Sequence, residues 1–247
     1  MNTRNFDKYK LEYNSLPFEP ILEDIRQKKL VDIVEKLSIS DILEVGCGRN
    51  SIFNKLEKFN SGVIVEPIQD FLSSNMSKLK NKKIVGFNQT LELYMQLEKI
   101  KVDFDLLILS SVLHEFEDLD LNLDLCHKLL KPGGYILCVV PNKYSLHRII
   151  YNFGKSPNIF NAKTTTESRM QQKASFSLTD LERIFISKKF TTIDIFTWFV
   201  KPFPHFKMQD LVNSGVISGV EIEFLENISK ELSNFGAEIF YLGKRND

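Results

Sequence analysis

Two acidic residues and a glycine turn are the part of this sequence whose residue types and spacing best fit ligand chemistry. Glu44 lies in a short apolar run and precedes a turn formed by Gly46, Cys47 and Gly48. A second apolar run ends in Glu66, 22 residues after Glu44. In open α/β sheets, ligands bind at the carboxyl ends of the strands beside the first strand–helix turn. An acidic residue at about this spacing reaches ribose hydroxyls. The pattern therefore predicts a site for a nucleoside-containing cofactor.

The turn departs from the dinucleotide-binding fingerprint Gly-x-Gly-x-x-Gly, because no third glycine follows Gly48. A glutamate before the turn and a cysteine within it resemble motif I of the class I S-adenosylmethionine (SAM) methyltransferases, written Glu-x-Gly-Cys-Gly-x-Gly. Asn50 stands where that family has its last glycine, and asparagine tolerates left-handed backbone angles better than most residues. The resemblance implies a methyltransferase whose cofactor is SAM and whose product is S-adenosylhomocysteine (SAH).

The resemblance runs in consistent order over roughly residues 40–142, and it includes the strand Phe104–Ser110 and the turn Leu129–Gly134. Its outer parts resemble a branch of these enzymes that is often associated with surface-polysaccharide or natural-product pathways. The segments that carry this second resemblance are Leu16–Glu19, Leu113–Glu115, Val140–Asn142, Ser145–Arg148, Phe199–Pro202 and Ala237–Ile239.

Alternating strand and helix patterns predict an α/β fold with a doubly wound, mostly parallel sheet and helices on both faces. The family resemblance implies seven strands, and a helical pattern over residues 19–38 adds an N-terminal extension. We expect one domain over 1–247, with a helical cap (1–39), a cofactor-binding core (40–142), and a substrate or lid segment with the closing strands (143–247).

Strands are predicted at 41–45, 62–66, 83–87, 104–110, 134–141, 191–199 and 237–242. Helices are predicted near 50–58, 68–79, 91–99, 118–130, 143–152, 207–213 and 220–233, with a loop or lid at 164–166 and a further helix opening at 177–180.

The resemblance assigns roles to the residues of the turn and of the strand ends. The glycine turn lines the methionine portion of SAM, Glu44 orients its amino end, and Glu66 accepts hydrogen bonds from both ribose hydroxyls. A cap on the following helix is the alternative role for Glu44. Asn88 and Gln89 stand where the family contacts adenine, although the usual acidic residue is absent. The residues expected to border the sulfonium are Ser110 and Ser111.

Two histidines are candidates for a general base, because the ordinary pKa of histidine is near neutral pH. His114 follows the fourth strand and is the first candidate, and His147 is the second. Both have the alternative of a packing or capping role. The expected acceptor-binding residues are Glu115, Tyr144, Arg148 and Lys201, where the two basic residues would clamp an anionic acceptor and a surface ion pair is the alternative.

These residues predict transfer of a methyl group from SAM to an oxygen or nitrogen of a small acceptor. The second resemblance, to the branch associated with surface-polysaccharide or natural-product pathways, suggests as acceptor a sugar, a nucleotide-linked compound or a phosphoryl intermediate of surface-polysaccharide biosynthesis. Two alternatives stay open: a nicotinamide-nucleotide-dependent oxidoreductase, and a SAM-binding module without catalysis.

Composition restricts the partners of this chain. Its 247 residues carry 32 Lys and Arg against 32 Asp and Glu, so the net charge of zero argues against a nucleic-acid partner. Four histidines and three cysteines without metal-ligand spacing predict no metal. No apolar stretch approaches 18 residues, so we expect no membrane span and a cytoplasmic protein. A monomer or a homodimer is expected.

Overall fold

The computed structural model describes residues 4–80, 83–97, 102–155 and 160–247. Seven strands form one sheet in the order β3-β2-β1-β4-β5-β7-β6. Strands β1 to β5 are parallel, and β7 runs antiparallel to both β5 and β6. The predicted fold class is thereby confirmed. The strands are β1 (Asp41–Val45), β2 (Ser61–Val65), β3 (Ile84–Phe87), β4 (Phe104–Ser110), β5 (Leu130–Pro141), β6 (Phe190–Trp198) and β7 (Glu238–Arg245).

Helices lie on both faces of the sheet and across its carboxyl edge. They are α1 (Phe6–Ser15), α2 (Glu19–Val34), α3 (Gln69–Lys78), α4 (Leu91–Tyr94), α5 (Leu119–Leu129), α6 (Leu146–Asn152), α7 (Thr165–Arg169), α8 (Leu178–Ser187), α9 (His205–Asn213) and α10 (Gly219–Asn227). Short 3₁₀ turns occur at Ile52–Asn54, Leu113–Glu115 and Ile228–Lys230.

The central strands are continuously apolar because both of their faces are covered. Alternate side chains of a strand point to opposite faces. In β4, Leu107 and Leu109 enter one buried cluster, whereas Leu106 and Ile108 enter the cluster on the other face. This two-sided burial fixes β1 and β4 at the centre of the sheet, and it leaves their carboxyl ends free to form a site.

The helix predicted near 50–58 is only a 3₁₀ turn at Ile52–Asn54. Side chains take the backbone donors that a helix start would leave free. The amide of Ser51 donates to Oδ1 of Asn75 at 2.8 Å, and the amide of Ile52 donates to Oε1 of Glu44 at 3.0 Å. This local network replaces the first helical turn.

Three further local predictions differ from the structure. The expected turn Leu129–Gly134 begins at the last residue of α5 and continues as an irregular stretch inside β5, where Leu130 pairs with Phe104 and Tyr135 with Leu106. Thr164 was predicted to lie in a loop, but its side chain caps α7 in a capping box. The helix predicted at 91–99 is the short α4, and residues 98–101 lie outside the described residues.

The predicted N-terminal helix is α2, which packs on the closing strands. Phe18, Leu22 and Ile25 form a buried cluster with Phe199 and Met208. The helix α1 before it was not predicted, and none of its residues is buried. The two helices cross the carboxyl edge of the sheet, so they form a wall of the space above β1, β2 and β4.

Candidate active site

A cavity of about 740 Å³, counted to its open mouth, lies at the carboxyl ends of β1, β2 and β4. One wall comes from the strand ends and the glycine turn, and the other comes from α1 and α2. The side chains that matter most for its chemistry are Tyr9, Tyr13, Arg26, Glu44, Glu66 and Glu115.

The glycine turn has a conformation that other residues adopt with strain. Gly46 has φ +75° and Gly48 has φ +53°, both in the left-handed region. A Cβ atom on Gly46 would lie 3.0 Å from the side chain of Val112. Asn75 holds the turn from α3, because its Nδ2 donates to the carbonyl oxygen of Gly48 at 2.9 Å and lies 3.4 Å from Sγ of the buried Cys47.

Glu66 is buried at the end of β2 and faces the cavity. Its Oε2 accepts from the amide of Gly48 at 3.1 Å, and its Oε1 accepts from the amide of Ile68 at 2.8 Å. Burial raises the pKa of the Glu66 carboxyl to about 7, even though both amides favour the charged form. Each oxygen keeps an acceptor position for a ligand hydroxyl.

Glu44 lies in the cavity wall and also makes capping hydrogen bonds. Its carboxylate lines the cavity, and it also accepts from the Ser51 hydroxyl and from the Ile52 amide, which caps the 3₁₀ turn. Burial raises the pKa of the Glu44 carboxyl to about 7, and the nearby charge of Glu66 adds to this effect. The capping bonds fix the carboxylate at the cavity wall.

Neither Glu44 nor Glu66 has a cationic side chain within 4 Å in the part of the chain that the structure describes. Their neighbours in the cavity are paired: Glu23 with Arg49 at 2.9 Å, and Glu115 with Arg4 at 2.9 Å. A buried carboxylate without a cation is costly. The two carboxylates beside the glycine turn therefore suit a ligand that brings positive charge.

Of the remaining residues that were expected to contact the cofactor, some line the cavity and others lie outside its wall. Ser110 and Ser111, which were expected to border the sulfonium, line the cavity at the end of β4. Asn88 lies outside the cavity wall and donates to the carbonyl oxygens of Glu66 and Pro67, at 3.0 and 2.9 Å. Gln89 also lies outside the wall, and its buried Oε1 has no hydrogen-bond partner in the described part of the chain.

The two candidate bases do not line the cavity. His114 is buried in the 3₁₀ turn after β4, and burial lowers its pKa to about 3. Its backbone oxygen accepts from the amides of Lys173 and Ala174. Burial also lowers the pKa of His147, on α6, well below its usual value. The side chain that does reach the cavity wall beside β4 is that of Glu115.

The other expected acceptor-binding residues also lie away from the cavity wall. Arg148 donates from Nη1 to Oε1 of the buried Glu167 at 2.6 Å. Burial lowers the pKa of Lys201, which is 1% exposed, to about 8, although Glu19 and Glu238 raise it. Tyr144 is exposed on the surface.

Sequence reasoning missed several residues of the site. Arg4, Tyr9 and Arg26 come from the N-terminal segment and line the cavity. Arg26 is buried and donates to Glu238 at 2.7 Å and Glu19 at 3.0 Å. The signal for α1 was weak, because a helix with no buried residue has no clear apolar stripe. Asn75, which holds the glycine turn, has no sequence signal at all.

Within the described ranges, no group of three or more His, Cys, Asp or Glu side chains is arranged to hold a metal ion. No helix in the same residues is long and apolar enough to cross a membrane.

Comparison with known families gives a match over residues 22–191 to the family described as Methyltransferase domain. The chain belongs to this family. The match covers more than half of the chain and includes the glycine turn, Glu66 and Glu115. It confirms the resemblance to the class I methyltransferases, the enzyme class predicted from it, and SAM as the cofactor of that class.

The matches to curated proteins cover a smaller part of this chain than the family match does. Two proteins of Dictyostelium discoideum, named probable polyketide synthase 22 and probable polyketide synthase 23, are each 26% identical over 141 residues. The match covers 49% of this chain, and it spans about 6% of the length of those relatives.

Solved structures share the fold along nearly the whole chain. The plantazolicin methyltransferase BamL, in complex with a triazolic desmethylPZN analog and SAH, has a TM-score of 0.61 at 13% identity, over 98% of this chain and 91% of that chain. The N-methyltransferase NodS from Bradyrhizobium japonicum WM9, in complex with SAH, has a TM-score of 0.58 at 12% identity, over 97% and 99%. Both comparisons support the architecture.

Proposed function

We propose that this methyltransferase transfers the methyl group of SAM to an oxygen or nitrogen of a small acceptor in the cavity above β1, β2 and β4. The observation that carries the proposal is the pair of buried carboxylates, Glu44 and Glu66, which flank the glycine turn without cationic partners in the described residues. SAM brings an ammonium and a sulfonium, which supply the missing positive charge.

The residues present fit this cofactor. Gly46 and Gly48 line the cavity without side chains, so a ligand can contact their backbone directly. Glu66 keeps acceptor positions for two ribose hydroxyls, and Glu44 lies where an ammonium would be compensated. Ser110 and Ser111 extend the wall toward the acceptor side. In this arrangement, the ribose and the ammonium of the cofactor each meet a complementary group of the chain.

When bound, the cofactor supplies a methyl group on a positively charged sulfur, which leaves with the bonding electrons. The chain contributes position and a dry site. Tyr9 and Tyr13 cover the cavity, and Glu115 lies in its wall at the end of β4. If the acceptor loses a proton, Glu115 is the group placed to take it. Its pKa is raised by burial, although Arg4 and Tyr9 lower it.

A small molecule is the acceptor class we propose, and an intermediate of surface-polysaccharide biosynthesis is the specific candidate suggested by the sequence. An anionic acceptor of this kind needs no base. It would engage Arg148 only after its present ion partner, Glu167, yields, and Lys201 only after this buried side chain becomes accessible. A polyketide-like acyl chain is a second candidate, because the curated relatives are named as probable polyketide synthases.

Acceptor panels test this proposal. Purified protein would be incubated with SAM and with sugar, nucleotide-sugar, sugar phosphate, amine and acyl-thioester acceptors, and SAH formation and methylated product would be measured. Acceptor-dependent SAH formation with a mass gain of one methyl group supports catalysis. SAM binding without turnover on any acceptor class would favour a binding module, and NAD binding in place of SAM would favour the oxidoreductase alternative.

A further inference from the structure

Helix α1 covers the cavity but contributes nothing to the core. None of its residues is buried, although Phe6, Tyr9 and Tyr13 line the cavity. The chain after α1 is anchored at Phe18, whose fully buried ring stacks on Phe199 with centroids 6.0 Å apart. Tyr13 contacts the ring of Phe71 edge-on, with centroids 6.0 Å apart, and the guanidinium of Arg49 lies over the Tyr13 ring at 4.5 Å. Since no residue of α1 enters the core, its position also depends on contacts at its other end.

Arg4 makes those contacts. Its Nη1 lies 2.9 Å from Oε2 of Glu115, and the two side chains are only 8% and 7% exposed. Its Nη2 donates to the carbonyl oxygen of Met170 at 3.2 Å, and its guanidinium lies over the ring of Tyr9 at 4.1 Å. The Tyr9 hydroxyl lies near the same Glu115 carboxylate and helps to lower its pKa. Arg4 thus joins α1 to the wall of the cavity at the end of β4.

The other ion pairs of α1 are on the surface. Lys10 pairs with Asp70, whose side chain is 68% exposed, and Glu12 pairs with Arg169, whose side chain is 53% exposed. Exposed pairs contribute little to stability. Breaking a buried pair is far more unfavourable, because it leaves an uncompensated buried charge. Among the ion pairs of residues 4–15 in the described structure, Arg4–Glu115 is therefore the one whose loss is most costly.

We propose that Arg4 is a positioning residue, and that its ion pair with Glu115 is the latch that holds α1 across the cavity. Ligand then enters and leaves only when the pair opens and α1 swings about the segment before Phe18. Closure places Tyr9 and Tyr13 over the ligand and excludes water from the methyl transfer. The proposal rests on the proposed function only in taking the ligand to be SAM or SAH.

Hydrogen exchange of the ligand-free protein tests the latch directly. In Arg4→Ala, amides of α1 are expected to exchange at least about tenfold faster, while amides of the central strands exchange as in wild type. Lys10→Ala, which removes a surface pair from the same helix, is the matched control and should exchange as wild type. Arg4→Lys keeps the charge but cannot contact both Glu115 and the carbonyl oxygen of Met170. An exchange rate between those of wild type and Arg4→Ala is therefore expected.

A double variant separates the pair from a general loss of stability. If the pair is the latch, Arg4→Ala with Glu115→Gln loosens α1 no further than the more severe single variant. Wild-type exchange rates in Arg4→Ala would overturn the proposal. Faster exchange throughout the sheet would overturn it as well, because Arg4 would then stabilise the whole fold rather than the position of α1.

Ligand kinetics complete the test. Release of SAH, followed by stopped-flow competition, is expected to be at least about tenfold faster in Arg4→Ala and unchanged in Lys10→Ala. Unchanged release from a protein whose α1 exchanges faster would mean that α1 is no gate. If wild type binds no SAH at all, the proposed function fails, and the hydrogen-exchange result still decides whether Arg4 latches α1.

Discussion

The backbone amide of Gly48 donates to a carboxylate oxygen of Glu66 across 3.1 Å, and this bond joins the turn after β1 to the end of β2. The amide reaches the carboxylate because Gly48 has a left-handed backbone. The glycine turn and the acidic strand end are therefore one structure, in which the turn holds the carboxylate at the wall of the cavity.

Substitution of the first glycine of the turn tests its conformation. Gly46→Ala is expected to lower the free energy of unfolding by about 1–2 kcal/mol, because alanine is strained at φ +75° and its Cβ would press on Val112. Denaturant titration measures the change. Gly219→Ala is the matched control, since a Cβ there meets nothing within 4 Å. Equal stability of the two variants would contradict the strained turn.

Cofactor binding is expected to release protons. Burial raises the pKa values of Glu44 and Glu66 to about 7, so the empty site holds roughly one proton in total at pH 7. A cationic ligand favours the charged carboxylates and lowers both pKa values. Affinity for SAM should therefore rise with pH through about 7 and level off above it.

Calorimetry in two buffers of different ionisation enthalpy measures that release. Buffer-dependent heats in the direction of proton release, reduced in Glu66→Gln, are the expected result. Heats that are independent of the buffer at pH 7 would mean that the two carboxylates are already charged in the empty site.

His114 is expected to play no part in proton transfer. Its pKa of about 3 keeps the imidazole neutral across the physiological range, and it lies outside the cavity wall. His114→Gln should leave the pH profile of kcat between pH 6 and 8 unchanged, once a productive acceptor is known. Loss of a titration step in this variant would restore His114 as the base.

The sheet and the cofactor edge could be predicted from the sequence because their signals are local. Continuous apolar runs mark strands buried on both faces, and the Glu44–Gly48 pattern places a turn at a strand end. The 3₁₀ turn at Ile52–Asn54 could not be predicted, because it depends on Asn75 from α3, which is distant in sequence.

The acceptor side of the site was less predictable for the same reason. His114 and Glu115 are neighbours in sequence, and only the packing of the 3₁₀ turn decides that Glu115 lines the cavity while His114 is buried behind it. The pairing of Arg4 with Glu115 spans 111 residues and has no local signature. Such contacts follow from tertiary structure alone.

Titration of the protein with SAH, in wild type and in Glu66→Gln, tests the central claim most directly. Glu66→Gln keeps the shape of the side chain but removes the charge that accepts the ribose hydroxyls. We predict that wild type binds SAH and that the variant binds about 10–100-fold more weakly, as loss of a hydrogen bond to a charged group implies. Equal affinity of the two proteins, or no binding by a wild type free of co-purified ligand, would contradict the account.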